Sequence, residues 1–74
     1  MNDDVPEIDE AEAALHARVR ELRQEHADLD ASIEALAQAA IPDQLRIARI
    51  KRRKLALKDE IVKIEARILP DIIA

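Results

Sequence analysis

Two polar side chains, His26 and Lys54, stand where the chain otherwise repeats apolar residues, and they are the first candidates for chemistry. Asp30 lies four residues after His26 on the same side of a helix, so its carboxylate could accept a hydrogen bond from either base. Such a group could bind a small anion or a charged partner. The competing interpretation is that polar residues in an apolar seam fix the helix register by penalising slipped pairings. The candidate polar cluster comprises His26, Asp30, Lys54, Lys58 and Asp59.

Recognisable catalytic and cofactor-binding motifs are absent from the sequence. There is no cysteine and no glycine, which excludes thiolate chemistry and Gly-rich phosphate loops. No Ser–His–acid arrangement and no HExxH motif is present. His16 and His26 are the only histidines, too few to predict a metal site. We therefore expect a protein that is not an enzyme and that needs no cofactor or metal.

A run of bases in the second half suggests a different kind of site. Clustered arginines and lysines can neutralise phosphates, so the basic face formed by Arg49, Arg52 and Arg53 is a candidate surface for anions or nucleic acid. The net charge of −4 counts against nucleic-acid binding, as does the lack of any aromatic side chain on which bases could stack. A solvated helix face is the favoured interpretation of this run.

The composition predicts an all-α protein, because alanine, leucine and charged helix formers dominate and no glycine is available for the tight turns of β-hairpins. Apolar residues recur at alternating steps of three and four in two stretches, which is typical of coiled-coil seams. The first seam is Leu15, Val19, Leu22, His26, Leu29, Ile33, Leu36 and Ala40; the second is Ile47, Ile50, Lys54, Leu57, Ile61, Ile64 and Ile68.

The junction between the seams predicts an antiparallel hairpin. Pro42 disfavours helical geometry at Ile41, so the first helix should end near Ala40, and Asp43 is well placed as the N-cap of the second. So short a break makes the helices antiparallel neighbours. The predicted organisation is an acidic extension over 1–11, in which Asp4 could cap an earlier helix start, then a hairpin over 12–69 and an apolar tail over 70–74. Within the hairpin, the helices span about 12–40 and 44–69, with a turn at 41–43.

The second helix is more apolar than one neighbour requires. A self-association stripe, spaced by seven residues beside the seam, widens its apolar arc to about 160°. We expect two hairpins to bury this stripe in a homodimeric four-helix bundle; another protein partner or a marginal monomer are the alternatives. Directly opposite positions also place like charges together, as in Arg23 with Lys58, so a second chain could supply counter-charges. The stripe consists of Ala48, Leu55, Val62 and Leu69.

The expected location is the cytoplasm, without a membrane partner. The first ten residues lack the basic and apolar blocks of a signal peptide, and no apolar run reaches the ~20 residues of a membrane span.

The sequence also resembles a known family. The segment His26-x-x-Leu29-Asp30-x-x-Ile33, the Pro-Asp turn and the stretch 47–61, which contains K-L-x-L-K-D-E-I, are similar to the YdcH-like family. These are short bacterial proteins that form a domain of unknown function, and the resemblance covers about residues 15–65. It implies a helical hairpin and brings no known activity, ligand or cofactor with it.

Three functions are compatible with these features. The favoured one is a non-enzymatic protein–protein interaction module, a small adaptor or scaffold that self-associates through its second helix. The second is a nucleic-acid-associated accessory protein that uses the basic face. The third is a regulator whose polar cluster changes charge between about pH 5 and 8.

Overall fold

The computed structural model describes residues 9–68, which form two α-helices joined by a short turn. Helix α1 spans Glu10–Ala37 and helix α2 spans Gln44–Ile68. The helices pack against each other in antiparallel orientation, since residues late in α1 contact residues early in α2. This confirms the predicted all-α hairpin. The N-terminal cap expected at Asp4, the apolar tail and Leu69 lie outside the described residues.

Aspartates begin both helices. Asp9 precedes α1 with extended backbone geometry, and its carboxylate accepts a hydrogen bond from the Ala11 amide at 2.9 Å. Asp43 precedes α2, and its carboxylate accepts a hydrogen bond from the Arg46 amide at 3.0 Å. These bonds satisfy amides that have no partner inside a helix. The expectation that Asp43 caps the second helix is therefore confirmed.

The first helix ends earlier than predicted, at Ala37 rather than near Ala40. Gln38 caps it, donating its amide hydrogen to the Glu34 carbonyl at 3.2 Å, and the Ala39 amide tightens the last turn by bonding to the Leu36 carbonyl. Pro42 disfavours helical geometry only at the residue before it, so its effect alone would allow α1 to continue as far as Ala40. The chain must also cross the 8–10 Å that separates packed helix axes, and this takes several non-helical residues.

The core is small and lies along the two predicted seams. Within residues 9–68, only Leu22 and Leu57 are completely buried, and they belong to one cluster in the half of the hairpin away from the turn. Half-buried side chains pack against this cluster at its edges: Leu15, Leu29 and Ile68. No helix within residues 9–68 is long and apolar enough to cross a membrane. The buried members of the cluster are Val19, Leu22, Leu57, Ile61 and Ile64.

Candidate functional site

Three members of the polar cluster meet across the seam. Lys54 extends from α2 and its Nζ donates to Asp30 Oδ1 at 2.5 Å, while His26 Nδ1 lies 3.7 Å from Asp30 Oδ2. The side chains of His26 and Lys54 keep 28% and 32% of their surface exposed, so neither is sealed inside the core. Lysine achieves this by burying its methylenes and leaving its ammonium in water.

Asp30 is the acid that holds this group together. The hydrogen bond from Lys54 lowers the pKa of the Asp30 carboxyl below its usual value, and the charges of Lys54 and His26 add to this effect. The carboxylate is therefore ionised at neutral pH, and it compensates the Lys54 ammonium. An incoming anion would have to compete with Asp30 for that lysine.

The other two members of the polar cluster lie elsewhere. Lys58 sits beside His26, and both line the same two concavities, but Lys58 has no ion pair with any residue of 9–68. Asp59 does not join the group. It points away from the seam and pairs with Lys63 on its own helix at 3.2 Å. The reason is rotation: one residue turns the helix by about 100°, which takes Asp59 off the edge that Lys58 occupies.

Two shallow concavities flank His26 on one side of the seam, which we call the His26 edge. One, of about 300 Å³, has Arg23, Val62 and Glu65 in its lining. The other, of about 430 Å³, has Lys51 and Leu55. The structure thus places the exposed apolar stripe of α2 and several bases on one edge of the hairpin. Lys51 belongs to the run of bases noted in the sequence, but the sequence had not indicated Arg23 or Glu65 as site residues, although all three occupy the heptad position next to the seam.

Four ion pairs bridge the two helices. Directly opposite positions were expected to bring like charges together, but these side chains pair with opposite charges instead. On the His26 edge, Arg23 pairs with Glu65 and Lys54 with Asp30. On the opposite edge, Arg18 pairs with Glu60 at 3.4 Å, and Arg53 donates from Nε and Nη2 to Glu25 Oε2 at 3.2 and 3.0 Å. Long arginine side chains reach a partner about two turns from the residue directly opposite them. The hairpin therefore supplies these counter-charges itself.

The candidate basic face is divided by this pairing. Arg53 lies on the edge of the seam and is held by Glu25, whereas Arg49 and Arg52 are exposed and form no ion pair with the residues the structure describes. On the same edge, a hydrogen bond to Glu21 on its own helix, together with the ion pair to Glu60, raises the pKa of the Arg18 guanidinium above its usual value. Two of the three predicted bases therefore remain available to an anion.

The self-association stripe is exposed where it is described. Leu55 keeps 68% and Val62 55% of their surface in water, and Ala48 is also exposed. Leu45 and Ile41 near the turn are exposed as well, at 61% and 89%. Among residues 9–68, no three histidine or acidic side chains are placed to share a metal ion. The site is an apolar stripe bordered by bases.

The fold and this site define the class: a small helical hairpin whose second helix keeps apolar residues in solvent. A family model described as "Protein of unknown function (DUF465)" matches residues 20–65, more than half of the chain, so the chain belongs to that family. YdcH-like proteins are members of the same family, which confirms the resemblance seen in the sequence. No curated protein and no solved structure gives a significant match.

Proposed function

We propose that this chain is a non-enzymatic protein–protein interaction module that self-associates through the apolar stripe of α2. The observation that carries the proposal is the exposure of Leu55 and Val62, one heptad apart and about 10.5 Å along the helix. Large aliphatic side chains scattered singly on a surface need no explanation, but a row in line with the heptad repeat favours a further helix neighbour.

The small core supports the same proposal. A chain of 74 residues buries a modest fraction of its surface, and scaffolds of this size usually need a disulfide, a metal or a partner. The chain has no cysteine, and only two side chains in the described part of the chain are completely buried. Full burial of Leu55 or Val62 would contribute about 1.5–3 kcal/mol each, a large share of a typical total of ~5 kcal/mol.

The polar cluster supports a structural role over a catalytic one. Lys54 and Asp30 neutralise each other, and the one hydroxyl side chain of the sequence, Ser32, donates its hydrogen bond to the Asp28 carbonyl at 3.0 Å instead of to either of them. Their position in the seam favours register control, since a shift of the helices would separate the lysine from its carboxylate.

The test is sedimentation equilibrium over a wide concentration range, with Leu55→Glu/Val62→Glu compared with the wild type. We expect a wild-type dimer or larger assembly that the double substitution converts to a monomer. The matched control compares Leu55→Glu with Ala56→Glu, which adds the same charge at an exposed position of α2 turned about 100° from the stripe and should leave association unchanged. A wild-type chain that is helical and monomeric at all concentrations would contradict self-association. A different protein that covers the stripe would then be sought.

A second candidate, nucleic-acid binding, is favoured by the charge of α2. This helix carries nine bases and three acids, and Arg49 and Arg52 are exposed. The proposal predicts binding that weakens steeply with salt and that is lost in Arg49→Glu/Arg52→Glu. Arg20→Glu on α1 is the control for a change of charge alone. If the affinity for a labelled oligonucleotide changes neither with salt nor with the α2 substitutions, binding of nucleic acid through the basic face of α2 is excluded.

A further inference from the structure

The internal ion pairs leave each helix with a charge excess. Helix α1 has seven acids and three bases, for −4, and α2 has nine bases and three acids, for +6. In two of the four cross-helix pairs the base lies on α1, and in the other two it lies on α2. Forming all four therefore cancels equal numbers of acids and bases on each helix. The excess of opposite sign on the two helices is unchanged.

Two uncompensated bases of α2 lie beside the exposed apolar stripe. On α2, Lys51 and Lys58 line the concavities on the His26 edge, and neither has an ion pair with the described residues. On α1, Glu34 is exposed and likewise has no ion pair within residues 9–68. Glu34 shares its helix face with Ala27, seven residues earlier, whose small side chain allows another helix to approach closely.

We infer that the stripe of α2 packs against helix α1 of a second copy, in a dimer whose twofold axis runs parallel to the helices. The inference rests on the proposed self-association and names the surface that covers the stripe. Because the axis is parallel to the helices, each residue keeps the same height in both copies. The contact between Lys54 and Asp30 sets these heights. Leu55 of one copy then lies within two residues, or about 3 Å along the axis, of the level of Ala27 of the other, and Lys51 lies within one turn of Glu34.

The alternative, α2 packed on α2 of the second copy, is disfavoured by charge. It would bring two helices of +6 together and place Lys51 and Lys58 near the bases of the other copy. Charges on adjacent packed helices can approach within the Debye length, about 8 Å at physiological salt, so the repulsion between these bases would be only partly screened. Packing α2 on α1 instead joins charges of opposite sign, and a twofold dimer contains this contact twice.

A charge exchange between the two faces tests the inference. Glu34→Lys alone, and Lys51→Glu/Arg52→Glu alone, should each weaken self-association about tenfold, which corresponds to ~1.4 kcal/mol. An equimolar mixture of the two variants should associate nearly as tightly as the wild type, because both contacts of the mixed dimer then join opposite charges. Asp28→Lys is the matched control. It makes the same charge change on α1 at a position turned about 100° from Ala27, and it should change the dissociation constant less than threefold.

Disulfide trapping gives a second readout that does not depend on charge. The chain contains no cysteine, so Leu55→Cys and Ala27→Cys can be introduced separately and the two variants mixed under oxidising conditions. We expect a disulfide-linked mixed dimer, because the inferred packing brings residues 55 and 27 of the two copies close together. The bond reports this proximity, since it requires Cα atoms about 4.4–6.8 Å apart. Efficient cross-linking of Leu55→Cys to itself would overturn the inference.

The outcomes separate the inference from the proposed function. A wild-type dimer whose charge-exchanged variants fail to recover in the mixture would overturn the α2-on-α1 arrangement and leave self-association in place. A wild-type monomer would overturn both. Circular dichroism of each variant before mixing shows whether its hairpin is still helical, so that loss of association is not confused with unfolding.

Discussion

Two leucines of α2, two residues apart, give the most direct test of the fold and of the proposed interface. Leu57 is completely buried between the helices, whereas Leu55 keeps 68% of its surface exposed. Replacing each by alanine removes the same atoms from the same helix, and alanine has the higher helix propensity in both cases. Any difference between the two variants therefore reports the surroundings of the side chain.

The expected magnitudes differ several-fold. Truncating a fully buried leucine costs about 2–5 kcal/mol, comparable with the whole stability of a domain this small, so Leu57→Ala should be close to unfolded at room temperature. Leu55 buries about a third of its surface in the hairpin, so Leu55→Ala should cost only ~0.5–1 kcal/mol in dilute solution. At concentrations well above the dissociation constant the dimer adds stability, about 2.7 kcal/mol at a hundredfold excess, and Leu55→Ala should lose part of that gain.

The assay is urea unfolding followed by far-UV circular dichroism at several protein concentrations. The cost of Leu57→Ala should be large at every concentration, and that of Leu55→Ala should grow as the concentration rises. Equal costs for the two variants in dilute solution would refute the description of Leu55 as exposed in the hairpin. A cost for Leu55→Ala that does not change with concentration would contradict the self-association proposal and leave the fold intact.

Three further predictions concern polar residues. Because its pKa is lowered in the folded chain, the Asp30 carboxylate should stabilise the hairpin above its unfolded pKa, near 3.8, and lose this contribution as the pH falls through the lower folded value. In Asp30→Asn the stability measured by urea titration should therefore depend less on pH in this acidic range; an unchanged profile would contradict the pairing with Lys54. Lys54→Met should raise the melting temperature, because a lysine in a seam trades stability for register, and sedimentation should show a broader range of assemblies. Asp43→Ala should cost about 0.5–2 kcal/mol by removing the cap of α2, with Gln44→Ala as a neighbouring control, and no change in unfolding free energy would argue against that cap.

Much of the fold could be predicted because it depends on local rules. The spacing of apolar residues identified both seams, and the residues that are buried, such as Leu22 and Leu57, belong to them. A proline followed by an aspartate identified the turn, and Asp43 caps α2 as expected. The pairing of His26 and Lys54 around Asp30 followed from their places in opposite seams, once the helices were known to be antiparallel.

The sequence by itself thus determined that two helices form, where the second begins and which faces meet, since these depend on helix periodicity and on a capping group within one turn. Only the tertiary structure decided which charged side chains pair. A flexible side chain of four or more bonds can reach several opposing positions, and Arg23 takes Glu65 rather than the lysine directly opposite it. The tertiary structure also ended α1 at Ala37, because the distance between packed helices sets the length of chain that must cross it. The tertiary structure also leaves Leu55 and Val62 exposed to water, because the one neighbouring helix covers only one side of α2.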